Sequence, residues 1–507
     1  MKTASVFNGV LGPVMRGPSS SHTAASYHIG RMARDIFGGT PPRASIRFDE
    51  NGSYGKVYAE QGSDKAFITG LLDLPLLGDD FHDAREAARR ASCDVRFFVG
   101  SFPEANHPNW VRIEMSGDSS AHTVTGASIG GGSVVISEVD GRSVDLRGDS
   151  WVVMADCVWE REEARGLLAP RGKLEAFELD GGCLLVSQGC EPPDVGTLDG
   201  LRKLGLRPRV ARPVFFPLRG EPLFGSASEL LRCAEGRHVS IGEAALEYER
   251  RLLGMERAEA MDEMKRRYAV MKRACERALD GRLDVSMQLL RPTAGKIWEI
   301  GKSSPFWGMN VRAAARAMAV MHANGGMDVV CAAPTGGAAG TLPGVVITLE
   351  EELGLSEDET CMALWAAGAV GLILDARATF AAEVAGCQVE IGAGGAMASA
   401  ACVEAAGGTA RQTLDAAAIS FQNTMGSVCD PVQGIVEIPC HTRNASAAGG
   451  AFVNAALAMC GYENGIPLDE TIDAVYAVGK MLPPELRCTS LGGLSLCPSA
   501  LAMKRLR

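Results

Sequence analysis

The chain has 507 residues, a formal net charge of −11 and 15 cysteines. That length supports two or three domains with large cores, and the acidic balance argues against a nucleic-acid surface, which needs a basic stripe. The start, MKTASVFNGVLGP, has no charged segment leading into an apolar one, and the apolar run from Cys361 to Leu374 is closed by Asp375 short of the ~20 residues a bilayer needs. A cytoplasmic protein with reduced thiols and no membrane partner is therefore expected.

Residues 1–145 read as a first, α/β unit. GPVMRGPSSSHTAASYHIGRMARDIFGG passes from a Gly/Pro/Ser loop into an amphipathic helix, with Ser19, Ser20 and Ser21 at capping positions. A plain N-cap accounts for them; with His22 and Thr23 they also place hydroxyls and backbone N–H groups where a carboxylate can be cradled. Alternating strands follow in ASIRFDENGS, in DVRFFVGSFPEANHPNWVRIEMSG, where His107 and Asn109 occupy an inter-strand turn, and in ASIGGGSVVISEVDG. Residues 146–220 read as strand, helix, two strands, helix, strand: SWVVMADC, EREEARGLL, KLEAFELD, CLLVSQGC, VGTLDGLRKLG and RVARPVFFPL. This is the βαββαβ plan of ferredoxin-like and small ligand-binding domains, without a clear glycine-rich ligand loop at the first strand–helix turn.

From 221 to 507 the composition turns to Ala, Gly and Met with helical periodicity. AEAMDEMKRRYAVMKRACERALDG is an amphipathic helix ending at Gly281. DVSMQLLRPTAGKIWEIGKSS reads as loop-rich, and its Arg291 and Lys296 either meet an acidic substrate group or are solvated. APTGGAAGTLPG opens the backbone beside a ligand or simply connects helices; it is neither a P-loop nor a dinucleotide fingerprint. His322 and Asn324, on the helix before it, read as satisfied helix residues. Cys387 in AGCQVEIGAGG, Cys429 in GSVCDPVQG and Cys440 in EIPCHTRNASAAGG each sit in turn-rich sequence, where a sulfur can point into a cavity. Their spacing matches no zinc ribbon and no CxxC motif, so on spacing alone three buried apolar cysteines are the better reading.

GCQVEIGAGGAMASAACVEAAGGT, SVCDPVQGIVEIPCHTRNA and LPPELRCTSLGGL, together with the N-terminal GPSSSHT, resemble the iron-sulfur-dependent L-serine dehydratases in their single-chain form. The resemblance implies an α+β multidomain protein: a serine dehydratase beta-type domain over 1–145, an ACT-like domain over 146–220, and a mostly α-helical, alpha-type catalytic domain over 221–507. It implies that Cys387, Cys429 and Cys440 hold a 4Fe-4S cluster whose fourth iron is open to an amino-acid substrate, L-serine, which is converted to pyruvate and ammonia. The GPSSSHT loop, with Ser20, Ser21, His22 and Thr23, is then expected to reach the active site. Thr335 of the APT loop becomes a substrate contact, and His441, Arg443 and Asn444 beside the third cysteine complete the candidate set, with Arg443 suited to clamp a carboxylate. Ser20, Ser21, His22 and His441 are the candidates for the base. No lysine lies in a recognisable Schiff-base motif, which favours the metal route over pyridoxal phosphate.

Several positions depart from the resemblance. Gln61 in AEQGSDKA stands where relatives usually carry histidine, RPTAGK replaces a Gly-Gly turn, and His441 follows the third cysteine where other residues are usual. Cys488 replaces a commonly acidic residue, and the chain ends in arginine where some relatives end in cysteine. Cys488 and Cys497 are thus either removable cluster ligands or structural thiols. Another β-substituted amino acid (L-threonine, a hydroxyaspartate or L-cysteine) is the alternative substrate, and an inactive cluster-holding or ligand-sensing protein the alternative class. Retention of the three cysteines and GPSSSHT argues against the latter. An Ala/Gly-rich helical domain is compatible with a homodimer.

Overall fold

A computed structural model describes residues 3–118, 120–157, 162–179, 182–283 and 287–506. It is a mixed α+β architecture, with β-rich sheets in the N-terminal part and a mostly helical C-terminal part. The strands in chain order are β1 (Val14–Arg16), β2 (Arg43–Asp49), β3 (Asp94–Gly100), β4 (Trp110–Ser116), β5 (Ala121–Gly130), β6 (Ser133–Val139), β7 (Arg142–Leu146), β8 (Trp151–Cys157), β9 (Lys173–Leu179), β10 (Gly182–Gly189), β11 (Arg209–Ala211) and β12 (Val329–Cys331).

The first sheet has the order β3-β2-β4-β5-β6-β7, with β2 and β3 parallel and the other pairs antiparallel. Alternation in β2 buries Ala44, Ile46 and Phe48 on one face, and the helices Ala25–Phe37 and Ser63–Leu71 cover that face with Ile29, Met32, Ile36, Phe67 and Leu71. The second sheet, β11-β8-β10-β9, is antiparallel throughout and carries the helices Glu162–Leu168 and Val195–Lys203. Its strand order is that of a ferredoxin-like unit. In β8, Val153 and Ala155 face the sheet's own helices while Val152 and Met154 join the core of the first sheet. Burial on both faces explains why WVVMADC reads as a nearly continuous apolar run. The first strand–helix turn, where a ligand loop was sought in the sequence, and the Glu160-Arg161 start of EREEARGLL lie outside the described residues.

Arg212 joins the two sheets' units, its Nε 3.0 Å from Asp35 Oδ2 and its Nη2 2.8 Å from Asp73 Oδ1. Burial by itself would raise the Asp35 carboxyl, and the hydrogen bonds from Arg212 and Arg34 outweigh it and hold the group below its ordinary value.

The N-terminal residues do not stay with the sheet that follows them. The helical turn Val6–Val10 is inserted in the helical body, where Phe7 packs 5.2 Å from the ring of Trp365. The fully buried Glu249 accepts hydrogen bonds from Ser5 Oγ (2.6 Å), Val6 N (2.8 Å) and Phe7 N (2.9 Å), replacing the partners a helix start lacks. Beyond this turn β1 pairs antiparallel with β12, Met15 opposite Val330. The segment RPTAGK, expected as loop, runs into a helix from Ala294 to Gly301. The helix Glu357–Arg377 is long and apolar enough to cross a membrane and is instead enclosed by protein, Trp365 being fully buried within it.

Two outcomes are expected. Glu249→Ala leaves two buried N–H groups and a hydroxyl without their acceptor and should cost about 2–4 kcal/mol of stability, read from denaturant unfolding. His28 is buried, donates from Nδ1 to Gly132 O at 3.1 Å, and is lowered to about 4 chiefly by burial. The fold therefore holds it neutral; stability is full above its unfolded value of about 6.5 and falls as pH drops towards 4, because the unfolded chain takes up a proton the native one refuses. The slope of unfolding free energy against pH near pH 5 should shrink by about one proton in His28→Gln.

Candidate active site

Irregular backbone delivers Cys387 and Cys429, and a helix start delivers Cys440. Cys387 begins a single turn, Cys387–Val389, and its N–H donates to Ser427 O at 2.9 Å, which ties it to the loop carrying Cys429. Cys429 donates to Leu486 O and accepts from Cys488 N, both at 2.9 Å. Cys440 is the first residue of the helix Cys440–Met459. All three are buried, and the sulfurs of Cys387 and Cys429 lie with a carboxylate oxygen of Glu390 within 4.8 Å of one another. A hydrogen bond with Cys429 lowers the Cys387 thiol, with Arg443 adding to the effect, and the same bond raises Cys429 well above an ordinary thiol. Burial, followed by the negative charge of Cys387 and Glu390, raises Cys440 well above its ordinary value, so the third thiol shares the same neighbourhood.

The GPSSSHT loop closes one side of this centre. Gly17 lies on the Asn324 carbonyl, and any Cβ would overlap it, so glycine is required there. Ser19 Oγ caps the turn by accepting His22 N at 3.2 Å; Ser20 Oγ accepts Gly336 N at 3.1 Å; Thr23 Oγ1 donates to Gln61 O at 2.9 Å. Ser21 Oγ donates to Glu383 Oε1 at 2.6 Å, and His22 Nδ1 is 3.5 Å from the same oxygen. His22 is fully enclosed, and burial lowers it to about 4 against the opposing pull of Glu383. Its ring is neutral near pH 7, with Nε2 3.3 Å from Ser53 Oγ.

The APTGGAAGT loop closes the other side. Thr335 Oγ1 accepts Ala338 N at 3.1 Å and bonds to Glu390, whose carboxyl is raised well above its usual value by burial and then by the charges of Cys387 and Glu383. A Cβ on Gly336 would stand 2.8 Å from Ser20 N, so the two loops touch backbone to backbone. Asn444 is the clasp: Oδ1 accepts Gly340 N, Thr341 N and Thr341 Oγ1 at 2.9–3.2 Å, and Nδ2 donates to Gly337 O at 2.8 Å and Cys440 O at 2.9 Å. Arg443 donates to Val428 O at 2.8 Å and lies 3.0 Å from Asp430 Oδ1, bracing the Cys429 loop while its charge bears on Cys387. A cavity of about 490 Å³ lined by Cys387, Ser427, Thr442, Arg443 and Asn454 runs between helices Ile391–Ala405, Ala410–Thr424 and Cys440–Met459.

The structure thus brings Ser20, Ser21, His22, Thr23, Thr335, Arg443 and Asn444 to the loops around Cys387 and Cys429, while Cys440 packs in the helical core and joins them through Asn444. His441 has a different partner. Its Nδ1 is 3.2 Å from His322 Nδ1, while His322 Nε2 accepts Thr293 N and Ala294 N at 3.0 and 3.2 Å. His322 therefore carries its proton on Nδ1 and donates it to His441. Burial lowers His322 to about 4; burial and then His322 lower His441 to about 3. The pair anchors the RPTAGK segment. Three groups here were not assigned chemistry in the sequence. Glu383 and Glu390 join the centre, and Glu383 bears on the half-buried His107. On the same turn as His107, Asn109 is fully buried, and among the described residues neither of its amide atoms has a hydrogen-bond partner. The three-residue step from Cys387 to Glu390 and the HPN turn were the available signals.

The donor set suits an iron-sulfur cluster. Soft thiols are supplied by two loops and a helix start, the rim is apolar (Ala338, Ala382, Ile391), and Gln61 and Arg443 offer donors to sulfur.

The serine dehydratase alpha chain family model matches residues 236–495. The probable L-serine dehydratase alpha chain of Bacillus subtilis (strain 168) is 33% identical over 285 residues, 56% of this chain and 95% of that protein. The probable L-serine dehydratase beta chain of the same organism is 40% identical over 149 residues, 29% of this chain and 66% of that one. The L-serine dehydratase of Streptomyces coelicolor is 28% identical over 495 residues, 95% of this chain and 96% of that protein.

Asn444→Ala should cost about 2–4 kcal/mol, because several buried N–H and C=O groups lose their partner at once. Because the clasp joins the glycine loop to Cys440, hydrogen exchange should rise at 335–341 before the rest of the helical body, a local opening that global destabilisation does not produce.

Proposed function

We propose that this chain, which belongs to the serine dehydratase family, eliminates water from L-serine at the centre just described and releases pyruvate and ammonia. The observation that carries the reading is the burial of Cys387 and Cys429 within 4.8 Å of each other and of Glu390, beside the point where the GPSSSHT and APTGGAAGT loops meet, with Cys440 buried on the helix start that Asn444 ties to the second loop. Cys387, Cys429 and Cys440 would hold a 4Fe-4S cluster, which when bound supplies a Lewis acid for the departing hydroxyl.

The chain's own residues do the rest. The paired loops, joined by Ser20 and Gly336 and clasped by Asn444, exclude water from the reacting centre. The unpaired Asn109 carboxamide offers a donor and an acceptor to the substrate's amino and carboxylate groups. Thr335 fixes Glu390 beside Cys387. His22 enters the reaction neutral, the form that can take a proton, and Glu383, 3.5 Å from Nδ1, stabilises the cation that results. Loss of the α-proton and hydroxide leaves an enamine, which tautomerises to an imine and takes up water to give pyruvate and ammonia. The small amino-acid substrate, cytoplasmic location and ACT-like regulatory unit over 146–220 belong to the same proposal, as do the boundaries 1–145 and 221–507.

One observation favours a second substrate. Gln61, a neutral amide, donates to Gly434 O at 3.1 Å and to Cys488 Sγ at 3.7 Å, so the position where relatives usually carry histidine holds the site together without a titratable group. L-Threonine, a hydroxyaspartate or L-cysteine is the class to compare. After anaerobic reconstitution with iron and sulfide, L-serine should yield equimolar pyruvate and ammonia at a higher kcat/KM than these. Cys429→Ser should lower the rate by more than the ~10–100-fold typical of losing an outer-shell partner. A cluster with turnover only of another amino acid would reassign the substrate, and the absence of any cluster would sink the mechanism.

A further inference from the structure

We infer that the cavity between helices Ile391–Ala405, Ala410–Thr424 and Cys440–Met459 is the passage by which the amino-acid substrate reaches the centre, kept open by Gly450. The inference rests on the dehydratase reading above. At about 490 Å³ the cavity falls among pockets that admit small molecules, ~300–1,000 Å³. Exposure declines along it: Asn423, Thr442 and Ser446 at one end are exposed, and Cys387 at the other is 2% exposed. The loops on the other sides of the centre are closed to solvent, with Ser20, Ser21, His22 and Thr23 buried in one and residues 335–338 buried in the other.

Two glycines line this space, and they serve different ends. A Cβ on Gly392 would stand 2.7 Å from Thr424 Oγ1, so that glycine permits close helix packing. A Cβ on Gly450 would meet no heavy atom of the described residues within 4 Å. Gly450 lies inside the 20-residue helix Cys440–Met459, with φ outside the left-handed region. Glycine is a poorer helix former than every residue but proline, so neither backbone geometry nor helix stability asks for it there. The open volume beside it does. The lining chemistry suits a zwitterion: its polar groups are hydroxyls and amides with one cation, Arg443, and no carboxylate, in a chain whose net charge is −11. Hydroxyls and amides exchange hydrogen bonds with an ammonium and a carboxylate alike. Arg443, fixed by Val428 O and Asp430, draws the carboxylate inward towards Cys387, and no acidic wall traps the ammonium at the rim.

The test compares full-length wild type with Gly450→Ala, Gly450→Leu and Gly450→Phe, which fill the space by increasing amounts. Gly236→Phe, at a helical glycine equally free of neighbours but outside the cavity, is the control. After anaerobic reconstitution all should carry as much iron and sulfide as wild type. The kcat/KM for L-serine should fall in the order Ala, Leu, Phe, by about tenfold or more at Phe, and stay near the wild-type value in the control. In metal-free protein, alkylation of Cys387 by iodoacetamide, followed by peptide mass spectrometry and normalised to the exposed Cys460, should slow several-fold in Gly450→Phe. Unchanged kcat/KM in Gly450→Phe overturns the inference, and with slowed alkylation it shows a cavity that reaches Cys387 without carrying substrate. Lower turnover with alkylation at the wild-type rate, or matched by loss of iron, also overturns it, because the side chain then acts without closing the path. Where Gly450→Phe does not fold, Ser446→Trp on the exposed rim decides by the same two readouts. A wild type that turns over none of the candidate amino acids instead removes the reading on which the inference rests.

Discussion

The structure depends on one constraint: the thiols of Cys387 and Cys429 are brought together on loops beside the helix that Cys440 opens, and buried loops must still satisfy their backbone polar groups. Each cysteine segment meets that requirement by bonding to another. Cys387 N reaches Ser427 O, Cys429 exchanges hydrogen bonds with the 486–488 segment, and Asn444 binds the glycine loop to Cys440 O. The site is consequently a lattice of loop-to-loop contacts in which the candidate ligands and their supports come from the same short segments. Displacing one segment removes hydrogen-bond partners from the next.

The N-terminal segment extends this lattice across the molecule. Glu249 fixes the turn at Val6–Val10 inside the helical body, β1 pairs with β12, and the chain then enters GPSSSHT already aligned with the glycine loop that follows β12. The first sheet and the helical body are thereby joined through a strand pair at the site itself. The Arg212–Asp35–Asp73 network carries the second sheet on the far side of the helix that begins where GPSSSHT ends.

Burial also sets the protonation of the histidines. His22, His28, His322 and His441 are all lowered to about 3–4 chiefly by burial, which outweighs opposing partners such as Glu383 at His22. They are held neutral, as hydrogen-bonding elements, over the range in which a free histidine titrates. In His322 the tautomer is set by two backbone N–H groups, and a loop the sequence marked only as cationic is thereby fastened to the helix beside Cys440.

Local pattern by itself determined much of the architecture. The βαββαβ order, the alternation in β2, the buried helix after Cys361 and the helix ending at Gly281 all follow from periods of 2 and 3.6 and from turn residues, which act over a few positions. The turn chemistry around Cys387, Cys429 and Cys440 and the serines of GPSSSHT likewise marked the loops that meet. Long-range pairing decided the rest. Nothing near Val6 announces that it joins the helical core at Glu249, 243 residues away, nothing in AAEVAG or the HPN turn that Glu383 and His107 come near each other, and nothing in CHTRNA that Cys440 and its neighbour His441 take different partners. Whether Cys488 is a filler or a ligand is equally a matter of what lies against its sulfur. Such choices are made by which surfaces exclude water together, a property of the folded chain that no window of sequence contains.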